Sequence, residues 1–256
     1  MKCGLCHTDV EKLSKSHIIP RALHLFGQEK GEHQGLLVMP VDKGKRVERS
    51  HTGFHSRIVC ADCEASFKAG DDALIELSRT HADAVQLFDE LGATEAFQFP
   101  NINNGTLHRG VIATLFRANL SDNDFYKQVD LPPRFAEQLR QVLLSPEPSH
   151  HSDFDVVLRL TPSLHGSVIK SPRRLRFCDV NTYWLTFPYW TAAIKVDGQK
   201  SRLLRQVRIG AYGHPVAALT PELNPSELKA LSKAMRGKHE DVLRITAGKF
   251  EKINRS

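Results

Sequence analysis

The spacing of apolar residues changes along the chain, and its middle part has the periodicity of amphipathic helices. Apolar positions recur every three to four residues in three stretches, which predicts helices over 71–92, 107–120 and about 134–144. Pro, Ser and His residues between Ser145 and Ser152 interrupt this pattern and predict a boundary. We therefore expect a helical region over residues 71–150.

Beyond residue 150 the apolar pattern becomes that of strands. The predicted strands are 154–160, 183–187, 191–196 and 203–209. Asp197-Gly198 favours a tight hairpin turn between the last two of these strands. A helical pattern returns from Pro225 to Ile245. We expect a small antiparallel sheet with C-terminal helices over residues 151–256.

The first 70 residues have too few apolar side chains to build a core of their own. Leu36–Met39 is the best short strand in this segment, and a helix is predicted to start near Asp62. Its most informative feature is a pair of Cys-x-x-C motifs. The four cysteines are Cys3, Cys6, Cys60 and Cys63, and a fifth cysteine, Cys178, stands alone.

Two Cys-x-x-C pairs can present four thiolates tetrahedrally to Zn²⁺, which gives a closed structural site. Such an ion would stabilise a segment that lacks a core, because metal binding then supplies folding free energy. Two alternatives stay open, namely buried reduced pairs without metal and a redox-active pair. The redox alternative requires a strand before the motif, and Cys3 has none.

Between the two cysteine pairs lies the sequence Ser16-His17-Ile18-Ile19-Pro20, and Glu64 directly follows Cys63. His55 stands nine positions before Glu64. At these positions residues 1–70 resemble the HNH nucleases, whose ββα-metal motif is folded in many members by two Cys-x-x-C zinc knuckles. The resemblance implies an α+β protein with an N-terminal zinc-stapled HNH-like module over residues 1–70.

The resemblance also implies site residues and an activity. His17 falls on the general base, Glu64 on a ligand of a catalytic Mg²⁺ or Mn²⁺, and His55 on the residue that orients the histidine or the water. A neutral imidazole can take a proton from water, and a divalent cation can stabilise the charge on the leaving oxygen. The implied function is an endonuclease that hydrolyses phosphodiester bonds in DNA or RNA, in proteins often found in bacterial genome defence.

Two positions depart from the family pattern. Ser16 stands where the family usually has an Asp or His ligand, and Glu64 replaces the final His. A carboxylate still binds Mg²⁺, whereas a neutral hydroxyl is a much poorer ligand. A catalytically degenerate module that binds zinc and nucleic acid therefore remains an alternative.

The charge of the chain is unevenly distributed. The net charge is +6, but residues 71–158 carry −8 and residues 159–208 carry +8. A basic segment of this kind favours binding to nucleic acid, DNA more than RNA. The residues predicted to bind it are Lys170, Arg173, Arg174, Arg176, Arg202, Arg205 and Arg208. Binding of a protein partner, or contact between the acidic and basic segments, is the remaining alternative.

The sequence gives no indication of a membrane protein. Its apolar runs are shorter than the roughly 18–20 residues that span a bilayer, and its first residues lack the apolar core of a secretory signal. We expect a soluble cytoplasmic protein without membrane contact.

Overall fold

The computed structural model describes residues 1–25, 36–40, 47–80, 84–88, 94–145, 154–160, 168–201, 205, 208–210 and 215–219. These residues form a mixed α+β fold of helices and three sheets. The helix predicted from Pro225 and the predicted boundary after Ser145 lie outside the described residues.

An antiparallel ribbon of two strands opens the fold. Strand β1 (Ser14–His17) pairs with β4 (His55–Val59), and the register places His17 opposite His55. Helix α1 (Ala61–Ser66) follows β4 after a single residue, Cys60. A helix near Asp62 is thus confirmed, and the ribbon leads directly into it.

A second small sheet lies in the same part of the chain. The predicted strand Leu36–Met39 is confirmed as β2, which pairs antiparallel with β3 (Glu48–Ser50). On its other side β2 pairs in parallel with β8 (Val168–Lys170). Because β8 comes from the predicted C-terminal segment, this sheet joins the predicted N-terminal and C-terminal segments.

Two of the three helices predicted in the middle segment are confirmed. They are α3 (Asn104–Leu120) and α4 (Pro133–Leu144). The Asn103 side chain caps α3 by accepting a hydrogen bond from the Thr106 amide at 2.9 Å. Helix α3 is buried over most of its length, which explains why apolar residues occupy several of its faces.

The helix predicted over 71–92 is wrong in its second half. Helix α2 covers Lys68–Arg79, and Val85–Phe88 forms strand β5. Short apolar runs fit both helical and strand spacing, so periodicity alone does not separate them. Pairing with the neighbouring strand β6 (Thr94–Gln98) decided the outcome.

The main sheet has seven strands in the order β5-β6-β12-β7-β11-β10-β9. Its remaining strands are β7 (Val156–Leu160), β9 (Arg173–Phe177), β10 (Val180–Phe187), β11 (Trp190–Lys195) and β12 (Val216–Leu219). All neighbours are antiparallel except β7 and β12. The predicted antiparallel sheet is therefore present, but it is larger than expected because the middle segment contributes β5 and β6.

The predicted hairpin at Asp197-Gly198 is wrong. Strands β10 and β11 are joined instead through Pro188-Tyr189, where Tyr189 takes a left-handed φ of 70°. The Asp197 carboxylate accepts hydrogen bonds from the Asn181 and Gln199 amides, so it caps the end of β11 rather than turning the chain. Arg205, Arg208 and Ile209, the described part of the strand predicted over 203–209, are not in a strand.

One hydrophobic core extends through all three predicted segments. It contains Leu5 from the first cysteine turn, Leu115 from α3 and Phe187 from the main sheet. Trp190 is buried against Phe187 with ring centroids 4.1 Å apart, and its indole N–H donates to Ser78 of α2 at 2.8 Å. The cysteine-rich segment therefore shares its hydrophobic core with the helices and the main sheet.

Helices α2 and α3 cross at a pair of glycines. A Cβ atom added at Gly110 would lie 2.4 Å from the backbone oxygen of Gly70. Only residues without a side chain allow the two backbones to approach this closely.

We predict that Gly110→Ala destabilises the protein by at least about 1 kcal/mol, because overpacking at the crossing exceeds what alanine gains in a helix. Gly198→Ala is the control, since a Cβ there meets no atom within 4 Å. Urea denaturation of both variants measures their stability, and equal unfolding midpoints of Gly110→Ala and Gly198→Ala would contradict the prediction.

Candidate metal centre and adjoining polar cluster

The four cysteines of the two motifs meet in one cluster. One sulfur atom from each of Cys3, Cys6, Cys60 and Cys63 lies within 4.8 Å of all the others. The Cys6 and Cys60 sulfurs are 3.8 Å apart, and the Cys3 sulfur accepts a hydrogen bond from the Cys60 amide at 3.2 Å. This cluster could hold a metal ion and is compatible with structural zinc.

The first cysteine pair is shaped by a tight turn that docks on the ribbon. The His7 amide donates to the Cys3 carbonyl, and His7 takes a left-handed φ of 62°. The Gly4 amide donates to the Ile58 carbonyl of β4 at 2.9 Å. A Cβ at Gly4 would lie 2.8 Å from that oxygen, so glycine permits the contact.

The surroundings of the thiols affect their acidity in opposite directions. Hydrogen bonds with Thr8 lower the pKa of Cys6 to about 6, whereas burial raises the pKa of Cys63. Arg140 of α4 donates to the Leu5 carbonyl at 2.8 Å. Hydrogen bonds to Glu137 raise the pKa of its guanidinium, and the nearby Cys6 thiolate adds to this. A positive charge beside a cluster of thiolates favours their ionised, metal-binding form.

His17 and His55, the predicted catalytic pair, are neighbours on the ribbon. Their ring centroids are 5.8 Å apart with an interplanar angle of 47°. His17 is half-buried and His55 is exposed. Partial burial lowers the pKa of His17 most, and the nearby charges of His55 and Lys15 lower it further. This imidazole is therefore neutral and able to accept a proton at neutral pH.

Ser16 and Glu64, the two positions at which the chain departs from the family pattern, face each other. Burial raises the pKa of Glu64, and the nearby Ser16 hydroxyl partly counteracts this. The Ser16 hydroxyl itself completes no hydrogen bond, and the Glu64 Oε2 atom is also buried without a partner among the described residues. Two polar atoms are therefore left unsatisfied between β1 and α1.

Arg117 is a site residue that the sequence analysis did not single out. It is fully buried on α3 and forms two hydrogen bonds with Asp71 of α2, at 2.9 and 2.5 Å. Its charge also lowers the pKa of Glu64 and contributes to the lowered pKa of His17. An arginine within an apolar helix was the available signal, since a buried charge requires a partner.

His24 is a second residue that was not singled out. It is fully buried, both of its ring nitrogens lack a hydrogen-bond partner in the described part of the chain, and burial lowers its pKa to about 4. Its ring packs against Gly53, where a Cβ would lie 2.5 Å from Nε2. His24 therefore stays neutral at neutral pH.

The structure describes five arginines of the set predicted to bind nucleic acid, and they do not share one environment. Arg173, Arg174 and Arg176 are exposed on β9, the edge strand of the main sheet. Arg208 instead forms an ion pair of 2.8 Å with the buried Asp155.

The other members of the set and the nearby aromatic residues also differ in their exposure to solvent. Lys170 is half-buried on β8, Arg205 is exposed, and Arg202 lies outside the described residues. The aromatic residues Tyr183, Phe187 and Trp190 belong to the core. They are therefore not available as a surface for base stacking.

Apart from the four cysteines, the described residues contain no group of three His, Cys, Asp or Glu ligands close enough together to hold an ion. In the same part of the chain, none of the helices combines the length and apolarity needed to cross a membrane.

We predict that the purified protein contains one tightly held metal ion per chain and that Cys60→Ser loses it. Loss of one thiolate opens the site, and the first 70 residues then lose the metal's contribution to folding. Elemental analysis and thermal denaturation measure both effects. Cys178→Ser is the matched control, since Cys178 lies in the β9–β10 turn, and an equal metal content in both variants would refute the assignment.

We also predict that acid destabilises the protein through His24. The unfolded chain binds a proton at this residue below about pH 6.5, whereas the folded protein does so only near a pKa of about 4. Stability should therefore fall as the pH drops between these values, by up to about 3 kcal/mol in total.

His24→Leu should remove this part of the pH dependence, because leucine does not titrate. The comparison is made by urea denaturation of the two proteins between pH 7 and pH 4, so that acid effects on the thiols are common to both. Parallel stability curves would contradict the prediction.

Comparisons with known proteins add no family assignment to this geometry. No protein-family model, no curated protein and no solved structure matches the chain.

Proposed function

We propose that this protein is a metal-dependent nuclease of the HNH type, in which a zinc ion held by the four cysteines stabilises the site. The observation that carries the proposal is that His17, paired with His55 across the ribbon, directly follows Ser16, whose hydroxyl lies close to the half-buried Glu64 of α1. Strand β1, strand β4 and helix α1 supply these residues in the order that the family resemblance requires.

His17 would act as the general base in phosphodiester hydrolysis. Its imidazole is neutral and half-exposed, so it can take a proton from water as the water oxygen attacks phosphorus. The bond from phosphorus to the 3′ oxygen breaks, and that oxygen is protonated by solvent. His55, 5.8 Å from His17 between ring centroids, would orient the base or the water.

Glu64 would hold the divalent cation. Its unpartnered, buried Oε2 atom is of the kind that Mg²⁺ or Mn²⁺ prefers, and Ser16 could add a weaker neutral donor. When bound, such an ion would stabilise negative charge on the phosphate and the leaving oxygen. Burial raises the pKa of Glu64, and the charge of Arg117 opposes this rise, which would favour the ionised carboxylate.

A second candidate function is binding of nucleic acid without cleavage. One observation favours it: the described residues assemble no second group of three metal ligands beside the cysteines. A site with Glu64 as its one strong ligand would hold a catalytic ion weakly. In this case zinc would serve structure alone.

We predict that the zinc-loaded protein cleaves plasmid or single-stranded DNA or RNA with Mg²⁺ or Mn²⁺ and that His17→Ala lowers the rate by about 10²–10⁴-fold, as loss of a general base does. Glu64→Gln should lower it as well, with partial recovery at higher metal concentration. The measurement is the cleavage rate together with zinc content, which confirms that each variant is folded.

His51→Ala is the matched control, because this histidine is exposed in the turn between β3 and β4. Equal activity of His17→Ala and the control would refute the proposed role of His17. A zinc-loaded wild-type protein that binds nucleic acid but leaves every substrate intact would instead establish the second candidate.

A further inference from the structure

The outer face of the β1–β4 ribbon carries basic residues in opposed pairs. The register places Lys15 opposite Arg57 and His17 opposite His55. Alternate residues of a strand point to the same side, so these four side chains share one face. The opposite face carries the buried Ser56, whose hydroxyl donates to Asp122 at 2.8 Å.

Most of this basic face is open to solvent. Lys15, His55 and Arg57 are exposed, and so is Arg21, which lies close enough to contribute to the lowered pKa of His17. Arg57 donates to the Leu13 carbonyl at 2.9 Å. Among the described residues, Lys15 and Arg21 form no ion pair with a carboxylate.

The opposed charges have an energetic cost, and apart from the hydrogen bond of Arg57 to Leu13 the described residues show no structural contact that offsets it. Basic side chains directly opposite each other on paired strands are destabilising. The outer face is not part of the core, so packing does not require them. Violations of local stability rules of this kind are expected where a surface serves binding.

Several acidic residues of the described chain are engaged with other residues. In the described part of the −8 segment, Asp71 pairs with Arg117, Asp72 with Lys68 and Glu137 with Arg140. Asp122 accepts from Ser56 on the inner side of the ribbon. Since Lys15 and Arg21 have no carboxylate partner among the described residues, an external polyanion is the partner that this face fits.

We infer that the outer face of the ribbon binds the sugar–phosphate backbone of a nucleic acid through Lys15, Arg21 and Arg57 and so places a phosphate at His17. The inference rests on the proposed function for the chemistry at His17. It differs from the prediction made from the sequence, which placed nucleic-acid binding on the strands around Arg173.

The test measures binding of one fluorescent 20-nucleotide sequence, as duplex DNA, single-stranded DNA and single-stranded RNA, without added divalent ions. The variant Lys15→Gln/Arg57→Gln should bind about 10–100-fold more weakly at 0.1 M salt, and its salt dependence should fall by about one to two phosphate contacts. Lys15→Arg/Arg57→Lys keeps both charges and should retain binding.

The charge-matched control is Lys68→Gln/Arg134→Gln, which removes two exposed positive charges from α2 and α4. Equal affinity and salt dependence of this control and the ribbon variant would overturn the inference, as would a wild-type protein that binds none of the three probes. Zinc content and thermal denaturation verify that every variant is folded.

Cleavage separates this inference from the proposed function. If the ribbon variant loses binding while the wild-type protein binds but cleaves no substrate, the binding face stands and hydrolysis fails. If the ribbon variant binds and cleaves like the control, hydrolysis stands and the binding face fails.

Discussion

The contact among four thiols from distant parts of the sequence is the constraint on which the rest of the site depends. It closes a loop of 53 residues between Cys6 and Cys60, and closing such a loop costs conformational entropy. The intervening residues cannot offset this cost alone, because the core beneath them is supplied by α3 and the main sheet. A bound ion would supply the missing free energy and hold β1 against β4.

The same contact sets the position of the polar residues beneath the ribbon. Helix α1 begins immediately after Cys60, so the cysteine cluster also orients Glu64 toward Ser16. Arg117 then approaches from α3, already paired with Asp71 of α2. Burial of this arginine is costly unless its partner remains in place, which links the packing of α2 and α3 to the electrostatics of the site.

The two faces of the ribbon have different chemistry, and the alternation of the strands explains why. Ser16 and Ser56 point inward and are buried, whereas Lys15 and Arg57 point outward and are exposed. His17, at the end of β1, shares the outer face with Lys15 but is half-buried. This placement lets one short ribbon combine a sheltered base with a basic outer surface.

The sequence by itself determined the local features of this protein. The Cys-x-x-C spacing indicated a four-thiol cluster, and strong periodicity indicated α3, α4 and several strands, because these signals depend on neighbours in the chain. Tertiary structure alone decided that Val85–Phe88 pairs as a strand, that Pro188-Tyr189 rather than Asp197-Gly198 forms the hairpin turn, and that the main sheet has seven strands.

The candidate site likewise combines features that the sequence determined with features that only the tertiary structure decided. The sequence identified His17, His55 and Glu64 as candidates, but it did not show that Arg117 and His24 are buried near them or that Lys15 lies opposite Arg57. Burial and strand register depend on contacts between residues far apart in sequence, and a one-residue change of register would send every side chain of a strand to the other face. Short-range patterns carry no information on such contacts, and only the folded chain supplies it.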